Sequence, residues 1–172
     1  MPADSPLVLS EVPFDDPRVT ALVAQVQAYY VEIYGGPDES PVDPREFDSP
    51  TGLFVIGTVD GEPVAMGGWR LRPELFGAFG GRVAEVKRMF VSPRVRRRGF
   101  AATVLERLVA TAREAGVDAL VLETGTAQSE AVALYEAAGW VPTLAFGHYA
   151  ASGTSRYYGL SLTGGVLPPP DR

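Results

Sequence analysis

Residues 84–102 read Ala84-Glu85-Val86-Lys87-Arg88-Met89-Phe90-Val91-Ser92-Pro93-Arg94-Val95-Arg96-Arg97-Arg98-Gly99-Phe100-Ala101-Ala102. Val83 to Val91 is a β-rich run stopped by Ser92-Pro93. Phe100 to Ala115 has helical periodicity, with Ala101, Leu105, Leu108 and Ala112 on one face and Gly116 at its end. The stretch is therefore a strand, a basic turn and a helix start. The first turn of a helix exposes N–H groups with no internal partner, and the helix dipole makes that end partly positive. Helices usually answer with a Ser, Thr, Asp or Asn cap and early acids. Here no acid occurs between Lys87 and Leu105, and the turn offers arginines and Gly99 instead. Gly99 lets a ligand approach the backbone closely, and Ala101 and Ala102 keep the next turn narrow. An uncapped helix N-terminus ringed by cations suits an anion, and a phosphate better than a protein carboxylate. A solvated surface turn is the plainer reading of a basic run; the glycine and the strand-turn-helix order weigh against it. Neither G-x-x-x-x-G-K-[ST] nor G-x-G-x-x-G after a strand is present, so the common nucleotide loops do not account for the turn.

Around this turn the chain is acidic. Its 172 residues carry 15 Lys and Arg against 21 Asp and Glu, a net charge of -6, and the pI is about 4.8. Yet Lys87, Arg88, Arg94, Arg96, Arg97 and Arg98 fall within one short stretch. The overall sign repels phosphate backbones and anionic membranes, which argues against nucleic-acid and membrane partners, and mildly favours cationic substrates. There are no cysteines, which removes disulfides, thiolate metal sites and cysteine nucleophiles. No apolar run approaches the ~20 residues needed to span a membrane. The start Met1-Pro2-Ala3-Asp4-Ser5-Pro6 has no leader pattern, so a cytoplasmic location is the default expectation.

The length predicts a single domain over 1–172, with a core over about 7–162. Leu7 to Val12 reads as a first strand, and a helix follows from Asp16-Pro17 to Gly35. A Pro-, Asp- and Ser-rich loop extends to Pro50. Leu53–Val59 and Pro63–Leu71 flank Asp60-Gly61, a hairpin signal. Arg72 to Gly81 reads as a loop. After the central strand and helix come a strand over Ala119–Glu123, a helix over Ser129–Ala138, and strands over Trp140–Phe146 and Arg156–Leu162. The tail 163–172 is expected to be unordered. This order predicts one α/β (α+β) domain: a mixed, mostly antiparallel sheet of about seven strands flanked by helices.

Arg96-Arg97-Arg98-Gly99-Phe100-Ala101 resembles the [QR]-x-x-G-x-[GA] signature of the GCN5-related N-acetyltransferases (GNAT). Ala131-Val132-Ala133-Leu134-Tyr135-Glu136-Ala137-Ala138-Gly139-Trp140 is similar to the same family's A-x-x-L-Y-x-x-x-G-[FYW] segment, at the expected separation and with a strand between. The resemblance implies a transferase, an acetyl-CoA-dependent N-acetyltransferase. It implies a sheet splayed between strands 4 and 5, with the pantetheine arm in the gap. Main-chain groups of Met89, Phe90 and Val91 would bond that arm. Backbone N–H groups from Arg97 to Ala102, in the field of Arg96, Arg97 and Arg98, would hold the pyrophosphate. An N–H near Phe90 would stabilise the oxyanion. Attack by a neutral amine would be direct, with acetyl-CoA as co-substrate and no metal.

Tyr135 occupies the place of the family's tyrosine acid; a core aromatic on an amphipathic helix is the plainer reading. Glu85 is the first candidate base, against a strand carboxylate paired with Lys87, Arg88 or Arg82, and Glu123 is the second. Gln128 stands where many members have a pantetheine-side asparagine, and offers the same amide groups from a longer arm. Tyr29, Tyr30 and Tyr34 are candidates for the acceptor pocket, Trp69 is ambiguous, and His148, the only histidine, is a weak candidate for substrate contact. The acceptor expected is a small-molecule or peptide amine, its identity open. The family often forms homodimers, so a homodimer is a further expectation. The alternatives are a non-catalytic acyl-CoA-binding or sensing module on the same fold, and a binder of another phosphoanion.

Overall fold

The computed structural model describes residues 4–172. Met1, Pro2 and Ala3, part of the start read above for a leader, lie outside the described residues. Seven strands form one sheet in the order β1-β2-β3-β4-β5-β7-β6, and β4 against β5 is its parallel pair. The strands are β1 (Val8–Glu11), β2 (Gly52–Val59), β3 (Glu62–Leu71), β4 (Val83–Val91), β5 (Ala119–Gly125), β6 (Val141–Pro142) and β7 (Ser155–Ser161). Helix α1 spans Pro17–Tyr34, with Asp16 capping its start and Gly35, at φ 77°, its end. Asp60 and Gly61, at φ 51° and 81°, turn the β2–β3 hairpin as two left-handed residues should.

The Arg72–Gly81 segment is more ordered than a plain loop: it holds a 3₁₀ turn at Pro73–Leu75 and a one-turn helix, α2 (Phe76–Phe79). The expected strand over Trp140–Phe146 is cut to two residues: the Thr143 amide still donates to the Tyr157 carbonyl of β7 at 3.0 Å, but its side chain and the next residue turn to the C-terminal segment. The Thr143 hydroxyl donates to the Pro168 carbonyl at 2.7 Å, and the Leu144 amide reaches the same oxygen at 3.3 Å. The segment after β7, expected to be unordered, is thus folded back as far as Pro168, with Leu167 packed over Gly159.

Alternation along β4 and β5 divides the sheet into two chemistries. Ala84, Val86, Leu120 and Leu122 face α3 (Phe100–Glu114) and α4 (Ser129–Ala137) in one buried cluster with Trp69, Val104, Leu105 and Leu108. Trp69 is core: it is 2% exposed, and its indole N–H donates to the Thr111 hydroxyl at 3.1 Å. The opposite face carries Glu85, Lys87 and Glu123 beside a second apolar cluster under α1. Strands β4 and β5 pair only from Val83–Ala119 to Glu85–Val121. Beyond those pairs β4 runs on to Val91 and β5 to Gly125 without meeting, which is the splay expected there.

A bulge marks the same place. Gly68 pairs with Lys87 and Met66 with Phe90, so Arg88 and Met89 both stand opposite Gly67. Arg88 has φ 59°, a left-handed value that a non-glycine residue holds only under structural constraint. The extra residue shifts the alternation, turning Met89 toward α3 and Phe90 toward α1. Gly67 makes this possible, since a Cβ there would lie 2.7 Å from the Met89 sulfur.

Candidate active site

Two cavities meet in the splay. One, of 600 Å³, lies against the N-terminus of α3. The other, of 480 Å³, lies between the end of α1 and the open edges of β4 and β5. Tyr30, Met89, Gln128, Ala131 and Tyr135 line both.

The first cavity has the character of an anion cradle. Gly99 is the N-cap of α3 at φ 76°, and no side chain caps the helix. Arg97 is left-handed as well, at φ 62°. Left-handed residues in such a turn aim successive N–H groups into one concavity, which binds anions. Met89, Phe90, Val91, Arg96, Arg97, Gly99, Phe100, Ala101, Ala102 and Gln128 all line it. Arg98 does not: its guanidinium donates to the Ser5 carbonyl at 2.6 Å and stacks on Phe100. Arg94 is paired with Glu62 on the surface. Of the basic run, only Arg96 and Arg97 border the cavity, and Arg96 lies over the Tyr29 ring, 5.6 Å from its centroid.

Tyr135 is buried at the junction of the two cavities, its ring 5.8 Å from Trp140 and 6.5 Å from Tyr158. Tyr135 is thus a core aromatic that also lines both cavities. Burial raises its pKa above the usual phenol value, with Tyr30 and Glu123 adding to the shift, so the hydroxyl stays protonated at neutral pH.

Glu85 is 4% exposed. Its Oε1 accepts from Arg70 Nε and Nη2 at 3.1 and 2.9 Å and from Arg72 Nη1 at 2.5 Å. Its partners thus come from β3 and just beyond it, where Arg70 stands directly across from it, and not from Lys87, Arg88 or Arg82. Glu123 differs: its one bonded partner is the Ser155 hydroxyl, at 2.5 Å. Burial raises its pKa above the ordinary glutamate value; the Ser155 hydroxyl and Lys87 oppose that shift, and Asp38 and Glu85 add to it.

Asp38 and Tyr149, which no sequence signal marked, line the second cavity with Tyr30 and Tyr34, while Tyr29 lines the first. Asp38 accepts from Arg88 Nη1 at 2.6 Å and from the Tyr149 hydroxyl at 3.0 Å, with Lys87 Nζ 3.5 Å away. Burial pushes the Asp38 carboxyl up, but Lys87, Ser40 and Arg88 outweigh it and the pKa falls to about 2. The Tyr149 hydroxyl also accepts from the Glu39 amide, tying the loop after α1 to the loop before β7. Tyr34 receives the Gln128 amide at 3.3 Å, over Gly125, where a side chain would collide with its hydroxyl. Gln128 therefore closes the roof between the cavities as well as bordering the first. A third, smaller cavity of 320 Å³ adjoins the second, sharing Glu85, Lys87, Glu123 and Tyr149 with it, and includes His148, Arg70 and Arg72 in its lining. Among the described residues no group of His, Cys, Asp or Glu is arranged to hold a metal ion, and no helix is long and apolar enough to cross a membrane.

Comparison with known proteins agrees with this geometry. The family described as the acetyltransferase (GNAT) family matches residues 23–140. A relative from Azospirillum brasilense named IAA acetyltransferase is 32% identical over 142 residues, covering 83% of this chain and 88% of the relative. A Klebsiella pneumoniae protein assigned as an acyl-CoA N-acyltransferase superposes with a TM-score of 0.73 at 27% identity, over 91% of this chain and 97% of that one. A Salmonella typhimurium protein assigned as an acetyltransferase and solved with acetyl-CoA has the same fold, with a TM-score of 0.61 at 16% identity over 94% and 97% of the two chains. The family match covers more than half of the chain, and the Azospirillum relative aligns over most of both proteins: this chain belongs to the GNAT family of acetyltransferases.

Proposed function

We propose that this acyltransferase moves the acetyl group of acetyl-CoA to a primary amine by direct attack, with the donor in the cavity against α3 and the amine in the cavity between α1 and β5. The observation that carries this reading is the position of Tyr135 on the wall common to both. The donor's pyrophosphate would lie against the N–H groups from Arg97 to Ala102, and its pantetheine against Met89, Phe90 and Val91. An N–H of the β4 bulge near Phe90 would face the thioester oxygen.

The proton balance follows from two side chains. The acceptor ammonium loses a proton toward Glu123, directly or through water. The amine nitrogen then bonds the thioester carbon, and the carbon–sulfur bond breaks. Tyr135 gives its proton to the departing sulfur and regains one from the attacking nitrogen through solvent. Glu123 suits the base role better than Glu85. Glu85 is closed in ion pairs with Arg70 and Arg72, whereas Glu123 has no ion-pair partner among the described residues and burial raises its pKa.

Titration calorimetry with acetyl-CoA and with ATP tests the donor site. Acetyl-CoA should bind in the micromolar range and ATP far more weakly; preference for ATP would instead make the cradle a nucleotide site. A second expectation concerns what holds the phosphates. Gly99→Asp forces a left-handed residue and adds a carboxylate at the anion cradle. The displaced turn and the added charge together cost about 2–3 kcal/mol, or roughly 30- to 150-fold in acetyl-CoA affinity. Arg97→Ala should cost only a few-fold, because the main chain does the binding. Equal losses from both would show that the arginine side chain carries the contact.

A further inference from the structure

The charges lining the acceptor side do not cancel. Four cations border the two cavities there, and each is already committed. Arg70 is paired with Glu46 and Glu85, Arg72 with Glu74 and Glu85, and both Lys87 and Arg88 with Asp38. Those four cations and the four carboxylates Asp38, Glu46, Glu74 and Glu85 form a neutral set. Two further carboxylates, Glu39 and Glu123, line the larger cavity, and neither has an ion-pair partner among the described residues. Glu123 is the more sheltered of the two, with only the Ser155 hydroxyl bonded to it. Around it stand the rings of Tyr30, Tyr34, Tyr135 and Tyr149.

We infer that the acceptor is a primary amine without a carboxylate, an arylalkylamine or an alkyl diamine, and that α-amino acids are rejected. The inference rests on the acetyl-transfer reading above and names the substrate class for that same site. An ammonium group entering this cavity meets two uncompensated carboxylates and several aromatic faces, both of which attract cations. A carboxylate two bonds from that nitrogen would arrive beside Glu123. To gain a cation it would have to displace Glu85 or Asp38 from pairs that are already closed. Rejection thus comes from like charge on the wall and not from lack of room.

Matched acceptors that differ only in the carboxylate test this. Thiol release from acetyl-CoA is followed with tyramine against tyrosine, and with cadaverine against lysine. The carboxylate-free member of each pair should have a kcat/KM roughly tenfold or more above its partner, the size expected of one like-charge contact. Tyrosinamide, with its carboxylate masked, should recover most of the tyramine rate. Equal or better turnover of the amino acids overturns the inference. So does failure of every amine while calorimetry still shows acetyl-CoA bound. Loss of acetyl-CoA binding itself would remove the donor reading, and this inference with it.

Discussion

Tyr135→Phe is expected to lower kcat by roughly 10²-fold or more, the range of a lost general acid, while acetyl-CoA affinity and melting temperature change little. The physical case rests on what the substitution leaves alone. The Tyr135 ring packs with Trp140 and Tyr158 in the cluster beneath α4, and phenylalanine keeps that packing. Only the hydroxyl is removed, and the hydroxyl is the group at the meeting of the two cavities. Its raised pKa keeps the hydroxyl protonated at neutral pH, available as a donor to the departing sulfur as the attacking nitrogen gives up its proton. Steady-state rates with calorimetry on the same variant separate the two roles. Unchanged turnover would remove Tyr135 as the acid and leave it a core residue; a large fall in melting temperature would mean that the hydroxyl holds the fold.

The second large effect is expected at Glu123. Glu123→Gln should reduce kcat/KM by about 10²-fold and erase the acidic limb of the pH–rate profile. The sign follows from the shift. Burial raises this carboxyl, so its folded pKa lies above the ordinary glutamate value, and it becomes a competent base only as pH rises through that value. Rate should therefore climb with pH across a limb displaced upward from free glutamate, and glutamine, with no proton to lose, should flatten it. The amide can still accept from the Ser155 hydroxyl, which limits structural damage. A profile unchanged in the variant would return the base role to Glu85.

Much of this enzyme was legible before its fold was known, and for a consistent reason. Helix starts, glycine ends and the Asp60-Gly61 turn depend on neighbouring residues, so α1, α3 and the β2–β3 hairpin were read close to their observed bounds. The anion cradle was legible for the same reason, since a missing cap and a glycine before Phe100 are local facts. The failures were non-local. The strand expected over 140–146 is short because the Leu144 amide turns from β7 to the Pro168 carbonyl, far along the chain, where the Thr143 hydroxyl also bonds. Arg98 stands at an unspecified position of the signature, and only the fold shows that its side chain is drawn to Ser5.

The sequence by itself determined the order of elements, the uncapped N-terminus of α3 and Tyr135 as the residue to watch, because each depends on spacing along one segment. Tertiary structure alone decided which carboxylate is free. Glu85 and Glu123 look alike as strand glutamates. Only the arrival of Arg70 and Arg72 from β3 and its exit neutralises the first, while the splay leaves the second facing a cavity with one hydroxyl for company. Pairing across a sheet depends on register between distant segments, and no reading of a single segment contains it.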